Sequence, residues 1–443
     1  MRTHTTSSDP SGDSRGLSRR GFLTGVSIAA GGAALVATAS HTHHVQAEEG
    51  RGPTPTDTAS GELASQTIPF DGVNQAGIAE PEQAHLNLLG LEIKPGLGLK
   101  DMKRLMRSWT EDMRRLTQGQ NPLGSLEPEL ASSPANLTVT CGYGPRFFDV
   151  IGAAEKRPAW LKPLPAYSTD KLENRWGQTD IVLQVCCDDP VTLAFAVRHL
   201  LRSSIDYVKV TWLQQGFMNA DGSLAEGSTP RNLFGQKDGT INPRTSEELQ
   251  QHVWINDGPT WQKNGSCMVV RRIFMNLDTW ELLDRNSREV AIGRTLDSGA
   301  PLSGGEEFDP IDTKATDRVG LPIIDPMSHA ARAKAPQNKP EQVIKRRPYT
   351  YNLPPDPAVV QAMARPDDKA AIISNVGLVF ICFQQDPLHQ FHPIQQRLSE
   401  GDRLNQWITH IGSAVYFIPP GVSADGKDGD RYWGAGLLES VKA

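Results

Sequence analysis

Residues 137–149, "LTVTCGYGPRFFD", and residues 378–391, "LVFICFQQDPLHQF", share one order of features: an apolar strand-like run, a turn, then aromatics. Runs rich in Val, Ile, Thr and aromatic residues favour strands. Two such runs, one in each half, suggest that the chain carries the same unit twice. Around the first, Met102, Leu105, Met106, Trp109, Met113 and Leu116 recur at spacings of three and four, which predicts a helix over 101–118. "DIVLQVCCDD" (180–189) reads as a strand. The "DDP" that follows starts a helix through "VTLAFAVRHLLRS" (191–203), and "DYVKVTWLQQGF" (206–217) reads as a further strand.

The second half offers "GSCMVVRRIFM" (265–275), a helix over 279–293, "VGLVFICFQQD" (376–386), a helical stretch over 391–408 and "SAVYFIPPG" (413–421). The expectation is α+β: two ferredoxin-like β-α-β-β-α-β units with antiparallel sheets, helices layered on each. A length of 443 residues favours two domains. The boundaries read as 66–232 for the N-terminal unit and 233–443 for the C-terminal one, behind a polar linker over 48–65.

Residues 1–47 read as an address rather than as fold. Arg19-Arg20 precede Phe22-Leu23 and a soft Gly/Ala-rich stretch, with a small-residue cleavage point after Ala47. This is the pattern of a twin-arginine signal peptide. It implies the twin-arginine export machinery as a partner and a secreted, periplasmic or cell-surface location. Such signals serve proteins that fold before export, often around a cofactor.

Composition is that of an ordinary soluble protein, 38% hydrophobic and 22% charged. A net charge of −6 and scattered basic residues argue against nucleic acid as a partner. Five cysteines cannot all pair internally, and they sit in apolar runs, so they read as buried thiols. No C-x-x-C-H occurs, which excludes covalent c-type haem attachment.

Near the seam between the units stands "RNLFGQKDGTINP" (231–243). A single D-G step is ordinarily a solvated turn. Three further stretches change its reading: "IGRTLDSGAPL" (292–302), "DPMSHAARAKAP" (325–336) and "VIKRRPYTYN" (343–352). In order and approximate spacing these resemble the haem-binding half of the dye-decolourising peroxidase family, nearest its exported deferrochelatase/peroxidase-like subgroup. Gly235, Asp238 and Gly239 match the G-x-x-D-G motif, Ser328-His329 the proximal histidine segment, and "KRRPY" the distal arginine. "FDGVNQAGI" resembles the opening strand, so the likeness covers nearly the whole chain after residue 65.

The resemblance implies one haem b per chain, with His329 as the iron ligand and Gly239, Thr240, Ile241 and Arg346 in contact with the group. It assigns Asp238 as the acid–base residue and Arg346 as the distal cation; a one-place slip would make that cation Arg347. It implies hydrogen peroxide and a bulky organic electron donor, such as a dye or a phenol, as substrates. It leaves open a deferrochelatase that takes iron from haem, a non-catalytic haem binder, and a homo-oligomer. Arg332 stands one place later than the motif has it, which unsettles any propionate contact there.

The chemistry asks for one imidazole held by a hydrogen-bond acceptor; Glu306, Glu307, Asp309, Asp312 and Asp317 are the candidate acceptors. It also asks for a base that reaches both peroxide oxygens. An ordinary carboxylate titrates near pH ~4, so an aspartate base predicts an acidic optimum. Of the other histidines, His199 reads as packing, and His389 and His392 as helix surface.

Overall fold

The computed structural model describes residues 62–442, except 226, 357–373 and 428. Residues 1–47, read above as a signal peptide, lie outside the described residues. The first unit runs β1 (His85–Ile93), α1 (Leu99–Leu116), β2 (Thr138–Tyr143), β3 (Ile181–Cys187), α2 (Pro190–Ser203) and β4 (Val208–Phe217). The second runs β5 (Ser266–Met275), α3 (Arg285–Ile292), α4 (His329–Ala333), β6 (Lys345–Arg346), β7 (Tyr349–Leu353), β8 (Asn375–Gln384), α5 (Phe391–Gly401) and β9 (Ile408–Ile418).

Strand order in the first unit is β2-β3-β1-β4, and in the second β9-β5-β8, with β6 and β7 both on β8. Both orders are ferredoxin-like, and all the strand ladders are antiparallel. Single pairings, Tyr143 with Phe417 and Phe217 with Thr350, join the two sheets at both edges. The eight positions close into a ring, which leaves no long edge open to other chains.

Three expectations are corrected. The opening strand is 85–93; "FDGVNQAGI" forms only a lone bridge at Asp71. The second half contains a strand pair, β6 and β7, in the segment read only as a motif. The two halves also correspond in a different register: β8 occupies the place of β3, so "LVFICFQQDP" matches "IVLQVCCDDP" rather than the β2 run. All three sequences are apolar on both faces, and without alternation nothing local fixes which strand is which.

Two cores follow from the pleat. One face of both sheets turns into the ring, with Leu86, Leu88, Val182, Met268, Val270, Ile381 and Tyr416. The other carries the helices, and Met102, Leu105, Met106, Trp109 and Met113 of α1 are fully covered there. Each such Met or Leu contributes about 1.5–3 kcal/mol. All five cysteines are buried and free. Among the described residues no helix is long and apolar enough to cross a membrane.

Candidate active site

The loop at 231–242 is bent by glycine and held by side chains. Gly235 and Gly239 sit at φ +80° and +121°, where a Cβ is strained. Arg231 donates to the carbonyls of Gly235, Leu296 and Asp297, and Lys237 pairs with Glu307. Burial alone would raise the Glu307 carboxyl; its hydrogen bonds, Lys237 foremost, hold it below the usual range. Thr240 is buried with its Oγ1 3.5 Å from Glu307, while Ile241 is 60% exposed.

So braced, the loop presents Asp238, whose Oδ1 accepts from Arg346 Nη1 at 2.9 Å. Its other oxygen lies 3.3 Å from Asn232 Nδ2. Arg346 reaches the loop from β6, and its backbone is fastened there. Its N–H donates to Asn242 Oδ1 (3.0 Å) and its carbonyl accepts from Asn242 Nδ2 (2.7 Å). The next residue, Arg347, points to the opposite face, as strand pleating requires. It is fully buried in the ring and donates to the carbonyls of Glu80 and Pro81 and to Gln83 Oε1.

His329 opens α4. Its Nδ1 lies 2.6 Å from Asp402 Oδ2, an acid on the turn after α5 whose side chain is 1% exposed. The other oxygen of Asp402 accepts from Leu404 N at 2.9 Å, so the carboxylate is fixed at both ends. None of the acids at 306–317 holds the ring. Burial pushes the imidazole down, but Asp402 outweighs it and carries the ring above its ordinary value. The charges of Arg346 and Asp238 also act on this ring, so the two pairs share one electrostatic environment. Arg332 donates to the Arg397 carbonyl and lies 3.8 Å from Glu400, tying α4 to α5.

A cavity of about 490 Å³ borders the same loop, lined by Asp238, Gly239, Asn242, Arg244, Lys345 and Glu82 among others.

Comparison with known proteins turns this geometry into a lineage. Residues 75–218 match the N-terminal and residues 229–423 the C-terminal region of the Dyp-type peroxidases. The chain belongs to the Dyp-type peroxidase family. A dye-decolorizing peroxidase of Thermobifida fusca is 33% identical, over 97% of this chain and 99% of its own. A deferrochelatase of Shigella sonnei is 30% identical over 95% and 97%. Among solved structures, a DyP-type peroxidase from Cellulomonas bogoriensis superposes with a TM-score of 0.77 at 42% identity, covering 86% of this chain and all of that one. Ferric DtpA from Streptomyces lividans gives 0.78 at 36%, covering 85% and 98%.

As a Dyp-type peroxidase the chain is a haem enzyme, and its residues fit the group. Asp402 occupies Nδ1 of His329, which leaves Nε2 as the ring nitrogen that could take a metal. Ser328 Oγ beside it is buried without a partner, and Ile241 offers an uncovered apolar side chain. Asp402 and Asn242 escaped the sequence reading. The first lies 73 residues from its histidine. The second was in view as part of "TINP", yet an Asn-Pro step reads as a turn signal.

Proposed function

We propose that this chain reduces hydrogen peroxide at an Asp238–Arg346 pair and oxidises bulky organic donors such as dyes and phenols. The observation that carries the reading is that the loop acid and the strand arginine meet at 2.9 Å within electrostatic reach of the His329–Asp402 pair. Haem, when bound, supplies the iron that takes up the two oxidising equivalents of the peroxide.

The residues supply the rest. His329 would hold the iron through Nε2, with Asp402 fixing the ring's tautomer and rotation. Asp238 would take the proton from one peroxide oxygen and return it to the other. Arg346 would place a permanent positive charge where negative charge grows on the departing oxygen. Asn242 fixes the strand from which Arg346 projects. Gly239, Thr240 and Ile241 would lie against the porphyrin edge.

The test is the optical spectrum of the haem-loaded protein before and after one equivalent of peroxide, in wild type and Asp238→Asn. The variant is expected to retain haem and to lose roughly 10²–10⁴ in the peroxide step. Equal peroxide reactivity would remove Asp238 from the role of base. Release of metal-free porphyrin in place of donor oxidation would turn the reading to the deferrochelatase activity named for the Shigella sonnei relative. The Arg19-Arg20 segment supports export by the twin-arginine route; loss of export in an Arg19→Lys/Arg20→Lys chain tests it.

A further inference from the structure

Asn232 touches the same carboxylate that Arg346 does. The segment 231–237 folds as a small hairpin: Arg231 bridges Lys237, Asn232 N–H donates to the Gln236 carbonyl, and Gly235 N–H donates back to the Asn232 carbonyl. Asn232 opens the turn, and its side-chain Oδ1 accepts from Phe234 N–H at 3.0 Å, the local bond that makes asparagine a turn residue. With the oxygen of the amide so engaged, Nδ2 faces Asp238 Oδ2 at 3.3 Å. The backbone of Asp238 is held as well, its N–H donating to the Pro230 carbonyl at 2.9 Å.

We propose that Asn232 is a positioning residue for the peroxide step: it directs the transferred proton to Oδ2 of Asp238 and keeps that carboxylate ionised in acid. The inference rests on Asp238 acting as the base. Both oxygens of Asp238 face groups that donate and cannot accept: Arg346 Nη1 at 2.9 Å on Oδ1, and Asn232 Nδ2 on Oδ2. A guanidinium keeps its protons and binds a carboxylate by a charge-assisted bond, so Oδ1 stays an acceptor. Oδ2 has the longer bond to a neutral partner and is the atom that can let go. Turning the amide end for end would set Nδ2 against the Phe234 N–H, donor against donor, so Asn232 cannot offer its oxygen to the new proton. The protonated acid thus lacks a hydrogen bond that the carboxylate has, and the proton is readily returned.

The transfer balances. One peroxide oxygen gives its proton to Oδ2, which releases Asn232. Oδ2 hands that proton to the other oxygen, which already carries one and leaves as water with the electron pair of the O–O bond. The two electrons that reduce the oxygen left behind are those haem supplies when bound. The carboxylate is restored, and Asn232 regains its acceptor.

The charged groups near Asp238 are Arg346 from β6, the Lys237–Glu307 pair on the neighbouring loops and, through its field, His329 from α4. Around the cavity stand Glu80, Glu82, Arg231, Arg244 and Lys345. All remain when position 232 alone is changed. Asn232→Asp keeps an oxygen for the Phe234 N–H and removes only the donor to Oδ2, whereas Asn232→Ala removes both bonds.

The test titrates the haem-loaded ferric protein and these two variants. Infrared spectroscopy follows the carbonyl band of protonated Asp238, identified by its loss in Asp238→Asn; stopped-flow mixing with hydrogen peroxide gives the acid limb of the peroxide step, and urea unfolding checks the fold. Band midpoint and acid limb are expected to move together to higher pH. The shift is about one unit in Asn232→Ala, a tenfold change for one lost bond to a charged group. It is about two units or more in Asn232→Asp, where two carboxylates share one site. If Asn232 serves only the turn, Asn232→Asp matches wild type in both readouts while Asn232→Ala loses rate at every pH, and the proposal is overturned. Unmoved midpoints in both variants, with Asp238→Asn slow, overturn it equally. A wild-type peroxide rate in Asp238→Asn places the base elsewhere, and the role of Asn232 falls with that of Asp238.

Discussion

The two halves of the chain fold on one plan and spend it differently. In the first, the layer between sheet and helices is mainly apolar, with the His199–Asp112 pair and Asp430 as exceptions: Trp109, Met113, Phe147 and Phe148 fill it, and Tyr432, Trp433, Leu437 and Leu438 close it. Trp433 N–H donates to Thr110 on α1, and Tyr143 donates to the Trp433 carbonyl. In the second, the corresponding layer holds Arg271, Asp170, His410, His329 and Asp402. The connections supply part of the difference. Residues 117–137 join α1 to β2, whereas residues 293–344 lie between α3 and β6 and carry His329, a length that costs little closure entropy. Asp170 comes from the connection before β3 in the first half, Arg271 and His410 from β5 and β9, and Asp402 from the turn after α5.

Four substitutions bear on that comparison. His329→Ala removes the imidazole proposed to hold the iron; coordinated haem is expected to be lost entirely, read as the absence of a haem-ligand spectrum after reconstitution. Retention of a normal spectrum would break the contrast between the halves at its root.

The paired arginines sharpen it. Arg346→Leu should slow the peroxide step by roughly 10²–10³, while stability to urea falls less than in the Arg347 variant, because Arg346 is part-exposed and Arg347 is fully buried. Arg347→Leu should do the reverse. It strips partners from the Glu80 and Pro81 carbonyls and Gln83 inside the ring, costing on the order of 3 kcal/mol with the peroxide step intact. Matching effects from both would mean that the pleat does not separate their roles.

The smallest effect concerns the closed first layer. Burial pushes the Asp430 carboxyl up to about 6. A raised carboxyl favours the fold while protonated, so its contribution is complete below the unfolded value of ~3.9 and is lost as pH rises through about 6. Relative to Asp430→Asn, the wild type should lose on the order of 2 kcal/mol across that window, measured by urea unfolding at several pH values.

Legibility followed the range of the interaction. The helical spacing of Met102 to Leu116 placed α1 to within two residues, because one side of a helix repeats locally. The run over 279–293 broke into Leu277–Trp280 and Arg285–Ile292, since Asn276 and Asp284 each cap a new start. The strands β6 and β7 were missed where Pro348 interrupts a short run, and Pro argues against continuous pairing.

By itself the sequence settled the repeated α+β plan, the family and the glycine-bent loop that bears Asp238, for these rest on periodicity, backbone freedom and ordered motifs. Only the tertiary structure could decide that Arg346 rather than Arg347 meets Asp238, 108 residues away, and that Asp402 holds His329. Consecutive strand residues face opposite sides, and a side chain's partner is chosen by which segments the closed ring brings together.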